Sequence, residues 1–339
     1  MQAYSTVARK AIGLQRRIIK RIYNTPDVWL NVSLTRACNA KCNMCPKYNQ
    51  NSYLSTPMDD KTFQRTIQIY SKLKLKYMIL HSMGECLLHP RFREYVDQLE
   101  REHFLVRISS NGYLVDRHMD TLLKKNIDFF KVSTEGWDNE SMMKYRGQEF
   151  DRVYRNVKDF YRYYKGKKTR YQFLLTLHIY PSMTEDNIRQ MFDLWGECSD
   201  HIHVGFSRNP SLNHEKAWPP VSIPEEDFGD YYYMVPRKEF TCHQVMKRAI
   251  IQPNGDALPC CDDYAGLLKL GNIHDKDFMD IFMGKRATSL REEFKSGNPI
   301  SCGKCYLLYE FAPGIDKRIA RLKELVPARH ANRFKITNY

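Results

Sequence analysis

The chain has 339 residues, 10 cysteines and a formal net charge of +14, and 42% of its residues are hydrophobic. This length and apolar content exclude a disordered chain and are typical of a large globular domain with a smaller appendage. The apolar runs are far shorter than the roughly 20 residues of a membrane-spanning helix, and no signal peptide is visible. Ten cysteines in an unsecreted chain favour metal ligation over disulfides, so we expect a cytoplasmic metalloprotein.

The first 26 residues carry basic side chains and no acidic one. Val7, Ala11, Leu14 and Ile18 would form one apolar stripe of a helix, with cations around it. We therefore expect a basic N-terminal helix over residues 1–26 that packs on the domain. The alternatives are a peripheral contact with an anionic membrane surface or with a polyanionic substrate. No nucleic-acid-binding motif is visible, so no nucleic-acid partner is expected.

Residues 27–207 alternate between apolar strand-like runs and segments with helical periodicity. Strands are predicted over residues 28–34, 77–83, 104–109, 129–134, 171–179 and 201–206. Six strand–helix units in succession predict an α/β fold, in which a parallel sheet curves into a partial (β/α)6 barrel of the TIM type. Catalytic groups of such folds lie at the C-terminal ends of the strands.

Beyond the predicted barrel, the composition of the chain changes twice. Five prolines in residues 208–241 predict an irregular connector. The segment 242–310 is rich in cysteine, and turn signals within it predict a small C-terminal domain. The tail, residues 311–339, is predicted to form a basic helix to which we assign no chemistry.

Three cysteines, Cys38, Cys42 and Cys45, follow the first predicted strand with three and two residues between them. This spacing lets three thiolates converge from one tight loop. A closed zinc site or an ordinary electron-transfer cluster needs four ligands, whereas three sulfurs on a [4Fe–4S] cluster leave one iron open. The alternative is a plain metal site whose fourth ligand comes from Cys86 or elsewhere.

The cysteine loop resembles the signature of the radical S-adenosylmethionine (SAM) superfamily. The resemblance implies that the open iron binds the amine and carboxylate of SAM, and that Met44 lies against the adenine. Reduction by a donor such as flavodoxin or ferredoxin would then cleave SAM to a 5′-deoxyadenosyl radical. That radical would remove a hydrogen atom from the substrate.

Further strand ends resemble motifs of the same family. Gly84 and Glu85, after the second strand, are similar to its Gly-Gly-Glu-Pro motif, and Asn111 lies in a segment similar to its Thr-Asn-Gly turn. Ser133 opens a segment similar to its Ser-x-Asp-Gly motif, with glutamate in place of aspartate. Arg146 matches an arginine that binds the cofactor carboxylate in relatives, a task suited to its planar fork. The resemblance implies that these five residues bind SAM.

The C-terminal cysteines resemble the SPASM/Twitch extension of this superfamily, which holds auxiliary [4Fe–4S] clusters. A full SPASM module holds two clusters and needs more cysteines than the five present here, so one auxiliary cluster is expected, on Cys242, Cys260, Cys302 and Cys305. Adjacent hairpin residues face opposite sides, and relatives place a ligand directly after the Gly-x-x-x-Pro turn, which favours Cys260 over Cys261. A zinc ribbon is the alternative.

Three residues are candidates for work on the substrate. Cys261 would be left free as a buried small side chain or as a hydrogen-atom donor for an epimerase, unless it replaces Cys260 as a ligand. His178, at the end of the fifth strand, and Arg208, after the sixth, point toward the expected substrate position. We predict them to be the base and the anion anchor.

The predicted function is that of a radical SAM oxidoreductase. Its expected substrate is a small polyhydroxylated, sugar-like or lipid-linked metabolite, which it oxidises or epimerises with the auxiliary cluster as electron relay. The first alternative is a peptide maturase. It is disfavoured because only 26 residues precede the barrel, where many such relatives carry a recognition domain. The second is a non-catalytic iron–sulfur electron carrier, which would form no 5′-deoxyadenosine.

Overall fold

The computed structural model describes residues 28–45, 56–167, 172–180, 182–207, 234–236, 242–297, 299–302, 309–311 and 315–337. The basic segment 1–26, most of the connector, Arg208 and Cys305 lie outside these residues. The predictions made for them, including the membrane contact, therefore stay predictions. Among the described residues, no helix is both long enough and apolar enough to cross a membrane.

All six predicted strands form, and each of the first five is followed by helical structure. The strands are β1 (Trp29–Val32), β2 (Tyr77–Ile79), β3 (Leu105–Ser110), β4 (Ile127–Ser133), β5 (Gln172–Ile179) and β6 (Ile202–Phe206). The helices are α1 (Asp60–Lys72), α2 (Phe92–Arg101), α3 (Met119–Leu122), α4 (Asn139–Arg146), α5 (Phe150–Gly166) and α6 (Glu185–Gly196). Consecutive strands pair in parallel, which confirms the partial barrel.

The two faces of the sheet differ in their packing. Phe130 and Val132 of β4 point outward and are fully buried, and the Phe130 ring meets that of Phe160 of α5 edge-on at 5.0 Å. Lys131 and Ser133, which alternate with them, point inward and remain partly exposed. Because successive side chains of a strand face opposite sides, the inward face lines an open space inside the curved sheet, here called the lumen.

The helices begin and pack as their sequences predict. Asp59 caps α1 by accepting a hydrogen bond from the Thr62 amide at 2.8 Å. Thr184 and Asn187 form a reciprocal capping box at the start of α6, which satisfies backbone amides that a helix end leaves free. The apolar side chains predicted to share one face of α6 are all buried, namely Ile188, Met191, Phe192 and Trp195.

The cysteine-rich segment continues the sheet of the barrel. Its strand β8 (Arg248–Ile251) pairs in parallel with β1, and β9 (Asp256–Leu258) and β10 (Gly271–Asn272) follow it in antiparallel order. A separate antiparallel pair joins β7 (Met234–Pro236) to β11 (Tyr309–Phe311). The helices of this segment are α7 (His243–Lys247), α8 (Phe278–Phe282) and α9 (Lys285–Lys295). β1 therefore lies between β2 and β8, so the cysteine-rich segment is joined to the centre of the fold.

The C-terminal tail contains a strand that the sequence did not predict. Helix α10 (Ile315–Glu324) lies where a helix was expected, but β12 (Phe334–Ile336) then pairs in parallel with β6 and covers the far edge of the sheet. Arg321 of α10 binds both carboxylate oxygens of Glu185, at 2.7 and 2.6 Å. β12 has three residues, as β2 does, but it includes a lysine and lies in no longer apolar run, which explains why it was missed.

Candidate active site

The loop that carries Cys38, Cys42 and Cys45 follows β1 and rests on the C-terminal end of α4. The Lys41 amide donates to the Arg146 carbonyl at 2.7 Å, and the Asn43 amide donates to the Tyr145 carbonyl at 3.1 Å. These bonds satisfy carbonyl groups that the end of α4 would otherwise leave free. The loop is therefore held by the backbone of the helix that contributes Arg146.

The close approach of the loop to α4 depends on a glycine. Gly147 ends α4 in the left-handed conformation, with φ of 59°. A Cβ atom there would lie 2.7 Å from the Cβ of Lys41. Glycine is therefore required both by the backbone conformation and by the space.

The three thiols of the loop lie within electrostatic reach of one another. The pKa of Cys42 is raised to about 12, chiefly by burial and also by the nearby thiols of Cys45 and Cys38, against the opposing charge of Arg146. A partly enclosed group of three thiols suits a cluster with three protein ligands. Iron bound there would take the thiolate form, so loading of the cluster would release protons.

The end of β2 packs against the residues that lead into the cysteine loop. Gly84 has φ of 84°, and a Cβ atom on it would lie 2.4 Å from the Thr35 carbonyl oxygen and 2.8 Å from that of Ala37. The Glu85 amide donates to the same Ala37 carbonyl at 2.8 Å. Because no side chain fits at Gly84, this residue lets the ends of β1 and β2 meet.

The Glu85 carboxylate, 2% exposed, ties the end of β2 to that of β3. Its Oε2 accepts from the Asn111 amide at 2.7 Å, and its Oε1 accepts from the Leu87 amide at 3.1 Å. Burial raises the pKa of Glu85, although these hydrogen bonds oppose the shift. Both oxygens are thus engaged by backbone amides, and direct contact of this side chain with SAM stays a prediction.

Asn111 contacts the cysteine loop directly. Its Nδ2 lies 2.7 Å from Asn39 Oδ1 and 3.7 Å from the Cys38 sulfur, and its Oδ1 accepts from the Tyr113 amide at 3.0 Å. The side-chain amide is thereby fixed with its donor toward the first cysteine. Donors near a cluster sulfur change the cluster's electronic properties.

Arg146, Glu135 and His178 form a buried charged network at the ends of β4 and β5. Arg146 Nη1 lies 3.0 Å from Glu135 Oε2, and its Nη2 donates to the Ser133 carbonyl at 2.6 Å. His178 Nδ1 contacts the other oxygen of Glu135. Burial alone would raise the pKa of Glu135, but the charges and hydrogen bonds of Arg146 and His178 outweigh it and lower the pKa. Glu135 is therefore an ionised carboxylate.

One nitrogen of this network is left for another group. The buried Nε of Arg146 has no hydrogen-bond partner among the described residues. A buried unpaired donor is costly, and a carboxylate would satisfy it. This donor lies beside the cysteine loop and is suited to bind the carboxylate of SAM. The assignment of Arg146 and Ser133 to cofactor binding stays a prediction. The importance of Glu135 was missed, although its place in the Ser-x-Glu-Gly segment could have indicated it.

His178 faces the lumen with one ring nitrogen available. It pairs with Gly205 across β5 and β6 and is partly exposed. Because its Nδ1 contacts the Glu135 carboxylate, Nε2 is the ring nitrogen that faces away from that carboxylate. The predicted base is thus oriented with its basic nitrogen away from Glu135.

The cysteines of the C-terminal domain form two groups. The sulfurs of Cys260 and Cys261 and the Asp262 carboxylate lie within 4.8 Å of one another. Cys242 and Cys302 are buried in a common apolar cluster. The two groups lie near each other. Burial raises the pKa of Cys242, and the nearby charges of Asp262 and Cys261 also raise it. Asp262 was not among the predicted residues, and the choice between Cys260 and Cys261 stays a prediction.

Tyr264 joins the C-terminal domain to the first cysteine loop. Its hydroxyl lies 3.7 Å from the Cys45 sulfur, and its carbonyl accepts a hydrogen bond from the buried Arg36. Burial raises the pKa of Tyr264, and the Cys45 thiol adds to the shift. On the other side of the loop, the Met44 sulfur lies 4.0 Å from Ser207 Oγ. A single tyrosine in an irregular segment gave no sequence signal.

A three-cysteine loop above a partial barrel, braced by motifs at the next three strand ends, defines a radical SAM catalytic domain. The family model of the radical SAM superfamily matches residues 32–194, and that of the SPASM iron–sulfur cluster-binding domain matches residues 242–306. The chain belongs to the radical SAM superfamily and carries a C-terminal SPASM domain. The first domain binds a [4Fe–4S] cluster and SAM, and the second binds auxiliary iron–sulfur clusters.

Individual relatives are distant. A segment of 109 residues, 32% of this chain, is 28% identical to the tungsten-containing aldehyde ferredoxin oxidoreductase cofactor-modifying protein of Pyrococcus furiosus and spans only 30% of that protein. SuiB of Streptococcus suis bound to precursor peptide SuiA is 17% identical with a TM-score of 0.60, covering 90% of this chain and 75% of SuiB. BtrN in complex with AdoMet and 2-DOIA is 18% identical with a TM-score of 0.52, covering 82% and 90%. At these identities the structural likeness concerns the fold.

Proposed function

We propose that this protein is a radical SAM oxidoreductase that oxidises, or epimerises, a small polyhydroxylated, sugar-like or lipid-linked metabolite. Electrons would come from a donor of the flavodoxin or ferredoxin type, and one auxiliary cluster would accept the electron that the substrate gives up. The observation that supports this most is the hydroxyl of Tyr264, 3.7 Å from the Cys45 sulfur. It brings the segment that begins at Cys260 up to the first cysteine loop, so an electron from the substrate would have a short path to the auxiliary cluster.

The chemistry of an alcohol substrate fits the described side chains. When bound, SAM and its cluster supply the radical that removes the substrate hydrogen atom. A carbinol carbon that has lost a hydrogen atom becomes a carbonyl by losing one further electron and the hydroxyl proton. His178 Nε2 would take this proton, and the Glu135 carboxylate, which contacts Nδ1, would stabilise the imidazolium that forms.

Epimerisation makes a different demand on the same lumen. The substrate radical must receive a hydrogen atom on its opposite face. Cys261 is the candidate donor, because it is a partly exposed free cysteine. After it gives up its hydrogen atom, the thiyl radical on its sulfur would be reduced to the thiol by one electron from the flavodoxin- or ferredoxin-type donor and one proton from solvent. If instead Cys261 binds the auxiliary cluster in place of Cys260, oxidation is the remaining outcome.

The test is substrate-dependent formation of 5′-deoxyadenosine by reduced, fully loaded enzyme. Panels of cyclitols, sugars and sugar derivatives on one side, and of short peptides on the other, are compared in H2O and D2O. A rise in 5′-deoxyadenosine with a polyol and a carbonyl product supports oxidation, and solvent deuterium in the product supports epimerisation. A rise with peptides alone favours the maturase, a reading that the SuiB–SuiA likeness makes worth testing. If no 5′-deoxyadenosine forms under any condition, the non-catalytic electron carrier is the remaining hypothesis.

Substitution of His178 by glutamine is expected to lower substrate oxidation by roughly 10²- to 10⁴-fold, the usual contribution of a general base. SAM cleavage without substrate should persist, since His178 lies on β5 and not on the cysteine loop. Product and 5′-deoxyadenosine are quantified together by mass spectrometry. The matched control is His201→Gln, at an exposed histidine directly before β6. Equal losses in both variants would exclude the base assignment.

A further inference from the structure

Two cations lie on the inward face of the sheet, on opposite sides of the lumen. Lys131 pairs with Ser109 and Leu174 on the neighbouring strands, and it alternates with side chains that are buried under the helices. Arg248 of β8 pairs with Trp29 of β1. Residues paired across strands project from the same face of a sheet, so the register directs both cations into the lumen.

Arg248 contacts Cys261, and the charge of Lys131 acts on the same thiol. Arg248 Nη1 lies 3.8 Å from the Cys261 sulfur. Burial lowers the pKa of Lys131, and Cys261 is the group that opposes this shift. Burial also lowers the pKa of His81 to about 3, with Lys131 and then Arg248 contributing. The charges of Lys131 and Arg248 therefore both act on His81.

The acids near this place have other partners. The carboxylate nearest to Cys261 is that of Asp262, which lies 3.9 Å from the Cys260 sulfur and belongs to the candidate auxiliary-cluster group. Glu135 binds Arg146 and His178, and Glu85 binds backbone amides. Asp128 pairs with Arg107 at 2.7 Å. Asp263 accepts from the amides of residues 267 and 268 at 2.9 and 2.8 Å. Within the described part of the chain, no carboxylate forms an ion pair with Lys131 or Arg248. Partly buried cations that have no carboxylate partner are costly unless an anion joins them.

We propose that Lys131 and Arg248 bind an oxyanion of the substrate, a phosphoryl or carboxyl group, inside the lumen. Arginine offers a planar fork and lysine a compact charge, and the two together suit a tetrahedral or planar oxyanion. This inference rests on the proposed function and narrows its substrate class. A substrate whose only charge is an amine would be repelled here.

The strand register places this anion site at a distance from the reacting end. Lys131 is level with Leu174 of β5, and His178 lies four residues further toward the C-terminal end of that strand. At 3.3 Å per residue, the two positions are about 13 Å apart along the sheet, a gap that the long lysine side chain shortens. The substrate is therefore expected to carry its oxyanion several bonds from the carbon that reacts, as in a sugar phosphate or a sugar acid.

The inference is tested by binding, without any turnover. Enzyme loaded with both clusters and SAM is titrated calorimetrically with inorganic phosphate and, separately, with malonate. We expect Lys131→Met to weaken binding of the preferred anion by about tenfold or more, equivalent to about 1.4 kcal/mol. Lys131→Arg should restore part of the affinity, and the control Lys125→Met, at an exposed lysine before β4, should change nothing. A preference for phosphate or for malonate identifies the group.

Three outcomes would overturn the inference. These are the absence of binding by either anion, an affinity of Lys131→Met equal to that of the parent protein, and a loss of affinity in Lys125→Met as large as in Lys131→Met. Electron paramagnetic resonance of each variant reports on both clusters independently. Altered cluster signals in Lys131→Met with unchanged anion binding would assign the lysine to the auxiliary cluster instead. Because the assay needs no SAM cleavage, its failure is distinguishable from failure of the proposed function.

Discussion

Replacement of Cys38 by alanine is expected to abolish 5′-deoxyadenosine formation and to remove the irons of the first cluster. Three thiolates are the minimum that leaves a [4Fe–4S] cluster with one open iron, and Cys38 also lies 3.7 Å from the Asn111 amide nitrogen that orients the loop. The measurement is iron and sulfide content after anaerobic loading, together with chromatography of the SAM cleavage products.

The control for this prediction is Cys198→Ala. Cys198 is fully buried, and its thiol contacts the Leu194 carbonyl of α6 at 3.7 Å. This variant should lose some stability but keep its irons and its product. Retention of 5′-deoxyadenosine formation by Cys38→Ala would contradict the assignment of the cysteine loop. Loss of iron from Cys198→Ala would show that the iron assay reports general damage.

Replacement of Glu135 by glutamine is expected to lower the free energy of unfolding by about 3 to 5 kcal/mol, because it leaves a buried Arg146 without its countercharge. Glu135 is completely buried and contacts both Arg146 and His178. Denaturant unfolding under anaerobic conditions measures the loss. The control is Glu140→Gln, which removes the same charge from an exposed position on α4.

The effect of Glu135 should also depend on pH in one direction. Its pKa is lowered in the folded protein, so its contribution is complete above the unfolded value of about 4.3. It is lost as the pH falls through the folded pKa. The difference in the free energy of unfolding between the parent protein and Glu135→Gln should thus be largest at neutral pH and become smaller only at acidic pH. A difference that grows as the pH falls, or one no larger than that of Glu140→Gln, would contradict the buried network.

The features predicted correctly from the sequence are those written in local patterns. The six strands of the barrel show as apolar runs of the right length, and the buried face of α6 shows in its helical spacing. The three-cysteine loop and the motifs at later strand ends are short segments whose residue types and spacing indicate a specific function. Their meeting at one edge follows from the parallel sheet, because carboxyl ends of parallel strands lie on the same side.

The features that were missed depend on contacts between distant parts of the chain. Tyr264 and Cys45 are 219 positions apart, and neither residue's neighbours indicate the other. The pairing of β8 with β1 and of β12 with β6 has the same character. Lys131 lies in an ordinary strand, and its place in the lumen emerges only when register and burial are known. Tertiary packing determines such positions, so no local sequence pattern predicts them.

The central place of β1 has a consequence for how the protein is made. One neighbour of β1 is β2, but the other is β8, which belongs to the C-terminal domain. At a synthesis rate of roughly 5 to 20 residues per second, the 219 positions from Cys45 to Tyr264 take roughly 10 to 40 seconds. During that interval β1 has an unpaired edge, and the cysteine loop lacks the wall that Tyr264 provides. Iron is therefore expected to be loaded only after most of the chain has left the ribosome.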